Sequence, residues 1–524
     1  MKEEIKLVAA MMERTRLAKN AACDRLMAEG IEGRQDEDAL IRADTLAELS
    51  IELGRKECLE CALSWYEILD HKGFRDELAI RLDAARANAI AGNRYGTRWH
   101  WEQPTLAREI FFARRAVSNP KFNQIPDIER CKILNNLGNR LQISGRVIEA
   151  IEYWHRALDI LPNFGMTLCN RAQIFVEYAK SLKDENDRIL FLLMAHKEAS
   201  AALASTAIYT HPRDKRNLEV TEELKKKIES MIDIEAAAKL DPFTYPDTSS
   251  TKEEHDYRRW CLANCLYLNP LNDLGSYTIV TTDSLGLVAH TVPDDAPYTF
   301  GSFFGQMKQE YVSARWMLYE GLTKKVLHFS DKDVLLILTE PRPTLSLAIE
   351  KVKAAYRISY SLFDKVGFFL NGYMGLGIPD KQVSFRGLWR YGDKTQIRKE
   401  FDQNENWAFC ALYWLAKDFF EKETDEVAEP EARGLSDIRN CLEHKYLRIT
   451  LDEPAASPPN DLALMVSRHQ FEAKALHLLA LARSALIYLS IGVRFEEHRR
   501  LRNRNGVSLE ELSSPPEFPD IEKI

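Results

Sequence analysis

Arg439, Asn440 and His444 fall within one short run, Asp437-Ile-Arg-Asn-Cys-Leu-Glu-His-Lys-Tyr446. Arginine stays charged at physiological pH and offers a planar fork that matches two phosphate oxygens. Histidine titrates near neutrality and can give or take a proton. Asparagine donates and accepts hydrogen bonds, so it can orient a phosphate or a hydroxyl. Together these residue types suit acid–base chemistry at a phosphate ester. Spacing by itself carries little weight, because Arg94 and His100 repeat a similar interval in a Gly/Trp-rich turn. The copy at 439–444 differs in context. It has Asn after the Arg, lies in an amphipathic helical pattern, and sits between an acidic, proline-containing stretch and a long apolar run. A purely structural alternative stays open: Arg439 pairing with Glu443 one turn on, and His444 favoured by a helix C-terminus.

Other chemistry is thinner. The nine cysteines are scattered. Cys58 and Cys61 form a C-x-x-C pair with no second pair at zinc-ribbon spacing, inside a helical pattern. Cys261 and Cys265 lie four apart and read as small buried residues. No metal or cofactor is expected. The formal net charge of −8 excludes a protein coated in positive charge for sequence-independent nucleic-acid binding, though not a local basic groove. The basic run Arg494–Arg504 suits RNA phosphates or an ordinary solvated face. Trp389, Arg390, Lys394, Arg398 and Lys399 mix aromatic and basic residues, as a single-stranded substrate needs, or form an ordinary surface loop. The charged, amphipathic start lacks an apolar signal core, and Ala475–Val493, which carries His477 and Arg483, reads as a buried helix rather than a membrane span. A cytoplasmic location is the expectation.

These residues must be positioned by helices. A chain of 524 residues exceeds one hydrophobic core, so at least two domains are expected. Residues 1–240 are helical by pattern. Within Leu134–Pro162, the residues Leu137, Gly138, Leu141, Gly145, Ala150, Trp154, Ala157 and Pro162 match a tetratricopeptide-like unit. Small Gly138 and Ala150 allow close helix approach, and Trp154 and Leu141 fill the remaining space. One such unit cannot bury its own face, so degenerate neighbours are expected. Residues 241–256 read as a linker. Helices are expected over Phe303–Leu322, Thr344–Leu370, Glu405–Glu423, Leu435–Ile449 and Phe471–Arg502. Two runs, Tyr277–Thr282 and Val334–Thr339, look strand-like. The tail from 506 to 524 reads as flexible.

The octet Arg439–Tyr446, with Asn269-Pro-Leu-Asn-Asp-Leu274 and Gln306-Met-Lys-Gln-Glu-Tyr-Val-Ser-Ala-Arg315, resembles a bacterial subfamily of HEPN domains. The fold expectation is then all-α: a repeat solenoid over 1–240, a linker over 241–256, and an elaborated HEPN bundle with small β-like insertions over 257–505. The resemblance implies a metal-independent endoribonuclease of defence or growth arrest, with Arg439, Asn440 and His444 as catalytic residues. RNA supplies its own 2′-OH nucleophile, so such an enzyme needs proton transfer and positive charge at the phosphorus. Lys445, Tyr446, Arg499, Arg500 and Lys308 are the candidate RNA contacts. One His cannot easily be both acid and base, and residues five apart on a helix diverge by about 140°. Both points, like the resemblance, imply a homodimer with a composite site. The repeats would take a protein, peptide or inhibitor partner, with no membrane involved. The competing reading is an inactive HEPN and repeat protein that holds RNA or nucleotide as a scaffold.

Overall fold

The computed structural model describes residues 15–92, 101–210, 215–239, 246–288, 299–324, 326–337, 342–391, 396–402, 405–419, 427–451 and 462–502. The Arg94/His100 pair, Lys394 and the tail from 506 therefore lie outside the described residues. The chain forms two compact units. One comprises Met1–Ile143, Tyr153–Phe164 and Lys422–Pro430; the other comprises Ser144–Glu152, Gly165–Glu421 and Glu431–Ile524.

The first unit holds α1 (Arg16–Glu29), α2 (Asp36–Leu53), α3 (Lys56–Asp70), α4 (Glu77–Gly92), α5 (Pro104–Ser118), α6 (Asp127–Ile143) and the second half of α7 (Val147–Ile160). From α1 to α6 each helix packs on the next in sequence. The close approach read from Gly138 is real. A Cβ there would lie 2.4 Å from the Trp154 indole nitrogen, which donates to the Asn135 carbonyl at 3.1 Å. Cys58 and Cys23 are fully buried and Cys61 is half-buried.

The second unit begins with α8 (Gly165–Ser181), α9 (Glu185–Leu203), α10 (Lys215–Met231), α11 (Ile234–Lys239) and α12 (Lys252–Ala263). Its main bundle is α13 (Thr299–Thr323), α14 (Leu347–Met374), α16 (Trp407–Ala416) and α18 (Arg468–Arg502), with short α15 (Lys399–Asp402) and α17 (Ala432–His444) added. α18 is the axis, since α13, α14 and α16 all pack on it. It is the one described helix long and apolar enough to cross a membrane, and 83% of its most apolar window is buried inside the fold. A core helix of that kind has its apolar residues on every side.

The strands form elsewhere than the β-branched runs indicate. Thr278–Val280 is a single 3₁₀ turn, tied by the Val280 amide to the Tyr277 carbonyl. Val334–Ile337 forms no helix or strand, and Leu335 is 98% exposed. Thr339 lies outside the described residues. Instead the expected helix Leu435–Ile449 stops at His444. The chain then becomes β1 (Tyr446–Thr450), which pairs in parallel with β2 (Ala463–Ser467), Tyr446 opposite Ala463. The aromatic, branched run Tyr-Leu-Arg-Ile-Thr favours a strand once a partner is present. That partner is distant in sequence, which is why local pattern misses it. The result is an all-α fold with one two-stranded insertion among the described residues.

Candidate active site

α17 is anchored by Leu435, Ile438, Cys441 and Leu442, which are buried at helical spacing. α14 receives it: the Tyr356 hydroxyl donates to the Leu435 carbonyl at 2.8 Å, and Arg357 donates to the Leu442 carbonyl. This fixes the rotation of α17. Arg439 and Asn440 are half-buried beside α14, and His444 is exposed in the last turn.

Arg439 Nη1 donates to Asn440 Oδ1 at 3.1 Å, and its guanidinium carbon lies 5.7 Å from the Tyr360 ring centroid. The expected alternative pairing with Glu443 does not form; Glu443 faces Arg357 at 3.7 Å instead. Thus the motif's Arg and Asn are joined, with most of the guanidinium fork uncommitted among the described residues. His444 makes no hydrogen bond or ion pair among them either. Lys445 and Tyr446 follow it, exposed, at the start of β1. Arg439 and His444 thus project from different sides of α17, as their five-residue spacing requires, whereas Asn440, four residues before His444, shares the side of His444.

The remaining candidate contacts lie apart. Arg499 and Arg500 bind Glu496 of their own helix, at 2.7 Å and 2.9 Å. Arg500 also stacks 4.5 Å over Tyr373 at the far end of α14. Tyr360 and Tyr373 are thirteen residues apart on that helix, roughly 20 Å along its axis. Lys308, on α13, donates to the Asp283 carbonyl at 3.0 Å.

Two stretches singled out in the sequence are architectural. Trp389 is 1% exposed, and its indole donates to the Phe385 carbonyl at 2.7 Å, so it offers no open stacking face. Arg390 of the same loop donates to the Tyr413 hydroxyl. In Asn269–Leu274, Asn269 caps a short 3₁₀ turn, and Asp273 pairs with Arg483 at 2.7 Å. Arg483 also donates to the Tyr267 and Asn269 carbonyls, and Tyr178 donates to Asp273 at 2.9 Å. Burial pushes the Asp273 carboxyl up, while Arg483 and Tyr178 pull it back. Arg315, which closes the other quoted stretch, grips Asp283 through two bonds of 2.8 Å.

Residues near the motif that local reading passes over include Asp364, one turn beyond Tyr360 on α14. Burial raises its carboxyl, partly offset by the Phe385 amide and by the nearby Arg439 and Arg386 guanidiniums. A charge-only scan of the sequence cannot single it out, because its neighbours come from other elements.

Residues 291–496 match the family model described as LA2681-like HEPN. This protein therefore contains a HEPN domain, and the match encloses α13, α14, α17 and both candidate stretches Gln306–Arg315 and Arg439–Tyr446. HEPN domains are generally ribonucleases, so the domain brings a nuclease or RNA-related role at that coarse level. No curated protein and no solved structure matches the chain.

Proposed function

We propose that this protein is a metal-independent endoribonuclease of defence or growth arrest, with Arg439, Asn440 and His444 as its catalytic set. The observation that carries this reading is the uncommitted Arg439 fork, held by Asn440 next to an exposed His444, inside a HEPN match. Arg439 would take two phosphate oxygens and stabilise the charge that grows there as the 2′-OH attacks. His444 would move the proton to or from the sugar oxygens. The product ends would be a 2′,3′-cyclic phosphate and a 5′-OH. Lys445 and Tyr446 stand where an RNA strand at His444 would pass; Lys308, Arg499 and Arg500 would touch it farther along. The separation of Arg439 and His444 around α17 supports a homodimer in which two copies of the helix share one composite site. The helical pairs of residues 1–240 would serve as tetratricopeptide-like repeats that take a protein, peptide or inhibitor partner and so govern the nuclease.

The same separation also favours a second reading, an RNA- or nucleotide-binding scaffold without catalysis. The two readings part on one assay. Purified full-length protein is incubated with total RNA in the presence of a chelator, and cleaved ends are typed. Cyclic-phosphate ends that vanish in Arg439→Ala and His444→Ala support the enzyme; removing one acid–base group should cost about 10²–10⁴-fold in rate. Intact RNA, together with equal harmlessness of wild type and both variants on overexpression, sinks it in favour of the scaffold.

A further inference from the structure

One stretch of α14, Tyr356 to Tyr360, meets α17 along two of its turns. The Tyr356 hydroxyl donates to the Leu435 carbonyl at 2.8 Å. The Tyr360 ring lies under Arg439, with the guanidinium carbon 5.7 Å from its centroid. Between them in sequence, Arg357 donates to the Leu442 carbonyl and holds Nε 3.7 Å from Glu443 Oε1. Leu442 is among the last four residues of α17, whose carbonyls lack a partner inside the helix, and Arg357 supplies that missing donor. Arg357 and Tyr360 share one side of α14, and Arg439 and Glu443 share one side of α17, by their three- and four-residue spacings. The two arginines therefore stand along one seam between the helices, their footings on α14 roughly 5 Å apart along its axis. Neither is used up. Arg357 gives one nitrogen to Leu442, and its approach to Glu443 is longer than a hydrogen bond. The Arg357 and Glu443 side chains are 40% and 39% exposed, and a pair so placed is worth at most about 1 kcal/mol. Arg439 is bonded to Asn440 alone among the described residues.

We propose that Arg357 is a second phosphate ligand beside Arg439, so that the seam between α14 and α17 takes the backbone of an RNA strand, and that Glu443 is the resting counter-ion of Arg357 that the phosphate displaces. The proposal rests on reading Arg439 as a phosphate ligand of an RNA-cleaving site. A phosphodiester offers two free oxygens, and charge-assisted bonds from a guanidinium to them are stronger than a long, exposed contact with a carboxylate. The Leu442 carbonyl keeps the Arg357 guanidinium in place while the exchange occurs. Glu443 neutralises Arg357 and also repels an incoming phosphate. Removal of the arginine and removal of the carboxylate therefore move affinity in opposite directions.

That opposition is the test. Full-length protein is titrated by anisotropy against a fluorescent, uncleavable 2′-O-methyl oligonucleotide at several salt concentrations. Arg357→Ala and Arg439→Ala should each raise Kd about tenfold, the loss of one charge-assisted contact. Each should also make the dependence of log Kd on log salt shallower by about 0.7, the mark of one phosphate contact to a single strand. A merely structural role for Arg357 would leave that slope unchanged. Arg357→Lys keeps the charge and the slope, loses the fork, and should weaken binding several-fold. Glu443→Gln changes an exposed side chain and should lower Kd about threefold. If Arg357→Ala does not fold, Arg357→Lys and Glu443→Gln decide. The proposal is overturned if folded Arg357 variants bind like wild type, if Arg357→Ala keeps the wild-type salt slope, or if Glu443→Gln fails to tighten binding. Wild type that binds no oligonucleotide ends both this proposal and the RNA reading. A loss confined to Arg439→Ala ends this one only.

Discussion

Arg483 and Arg439 stand on two helices of the second unit, and their surroundings are opposite. Arg483 is 1% exposed, and its nitrogens are committed to the Asp273 carboxylate and to two backbone carbonyls. Arg439 is half-open, with a single bonded partner, Asn440, among the described residues. Burying a guanidinium is costly unless each donor is met, so a satisfied, buried arginine is a joint of the scaffold. An arginine whose fork is held in place yet left largely unfilled has donors to give to a ligand. Arg315 and its Asp283 partner follow the first pattern. Stretches singled out together in the sequence can therefore do very different work: Asn269–Leu274 ties the bundle together, whereas Arg439–Tyr446 offers groups to solvent.

The sharpest way to break that contrast is to remove each arginine. Arg483→Met leaves the Asp273 charge buried without its cation, and should cost about 3–5 kcal/mol in a denaturant or thermal melt. Arg439→Ala should stay within about 1 kcal/mol of wild type while abolishing activity on RNA. Equal destabilisation by the two would erase the distinction between joint and site.

A second, intermediate effect concerns pH. Glu198 is buried beside Arg171 at 2.6 Å, and burial pushes its carboxyl up to about 7 even though Arg171 opposes the shift. A carboxyl raised in the folded state stabilises the fold fully below its unfolded value, and that stabilisation is lost as pH rises through the folded value. The second unit should therefore lose about 3 kcal/mol between pH 4 and pH 8 from this group. Glu198→Gln should flatten the profile over that window. A profile whose slope is unchanged in the variant would assign the loss to other groups.

The smallest effect is expected at Arg500. Its guanidinium already bonds Glu496 and Glu497 and covers Tyr373. Arg500→Ala should change oligonucleotide affinity by about twofold, less than Arg439→Ala does. A loss as large as that of Arg439→Ala would join both ends of α14 into one RNA track and extend the site by a full helix length.

Much of this was legible in the residues. Helical periodicity identified α13, α14 and α18, and the apolar run Ala475–Val493 identified the core helix despite its inward Arg483. Gly138 and Trp154 announced their contact. The Arg-Asn-x-x-x-His motif was found on the helix expected for it. The failures share a cause. Tyr446–Thr450 is a strand because Ala463–Ser467 lies alongside it, and Trp389 is buried because α15 and α16 close over it, through Phe401 at 5.0 Å and Tyr413 at 6.0 Å. Neither partner is near in sequence.

The sequence by itself determined which residues could do chemistry and which helix faces would be buried, because those follow from side-chain type and the 3.6-residue turn. Only the tertiary structure decided which arginines were used up and which were left available. Arg483, Arg315 and Arg439 are the same residue type in similar helical contexts; what separates them is the carboxylates and carbonyls that distant segments bring within hydrogen-bond reach.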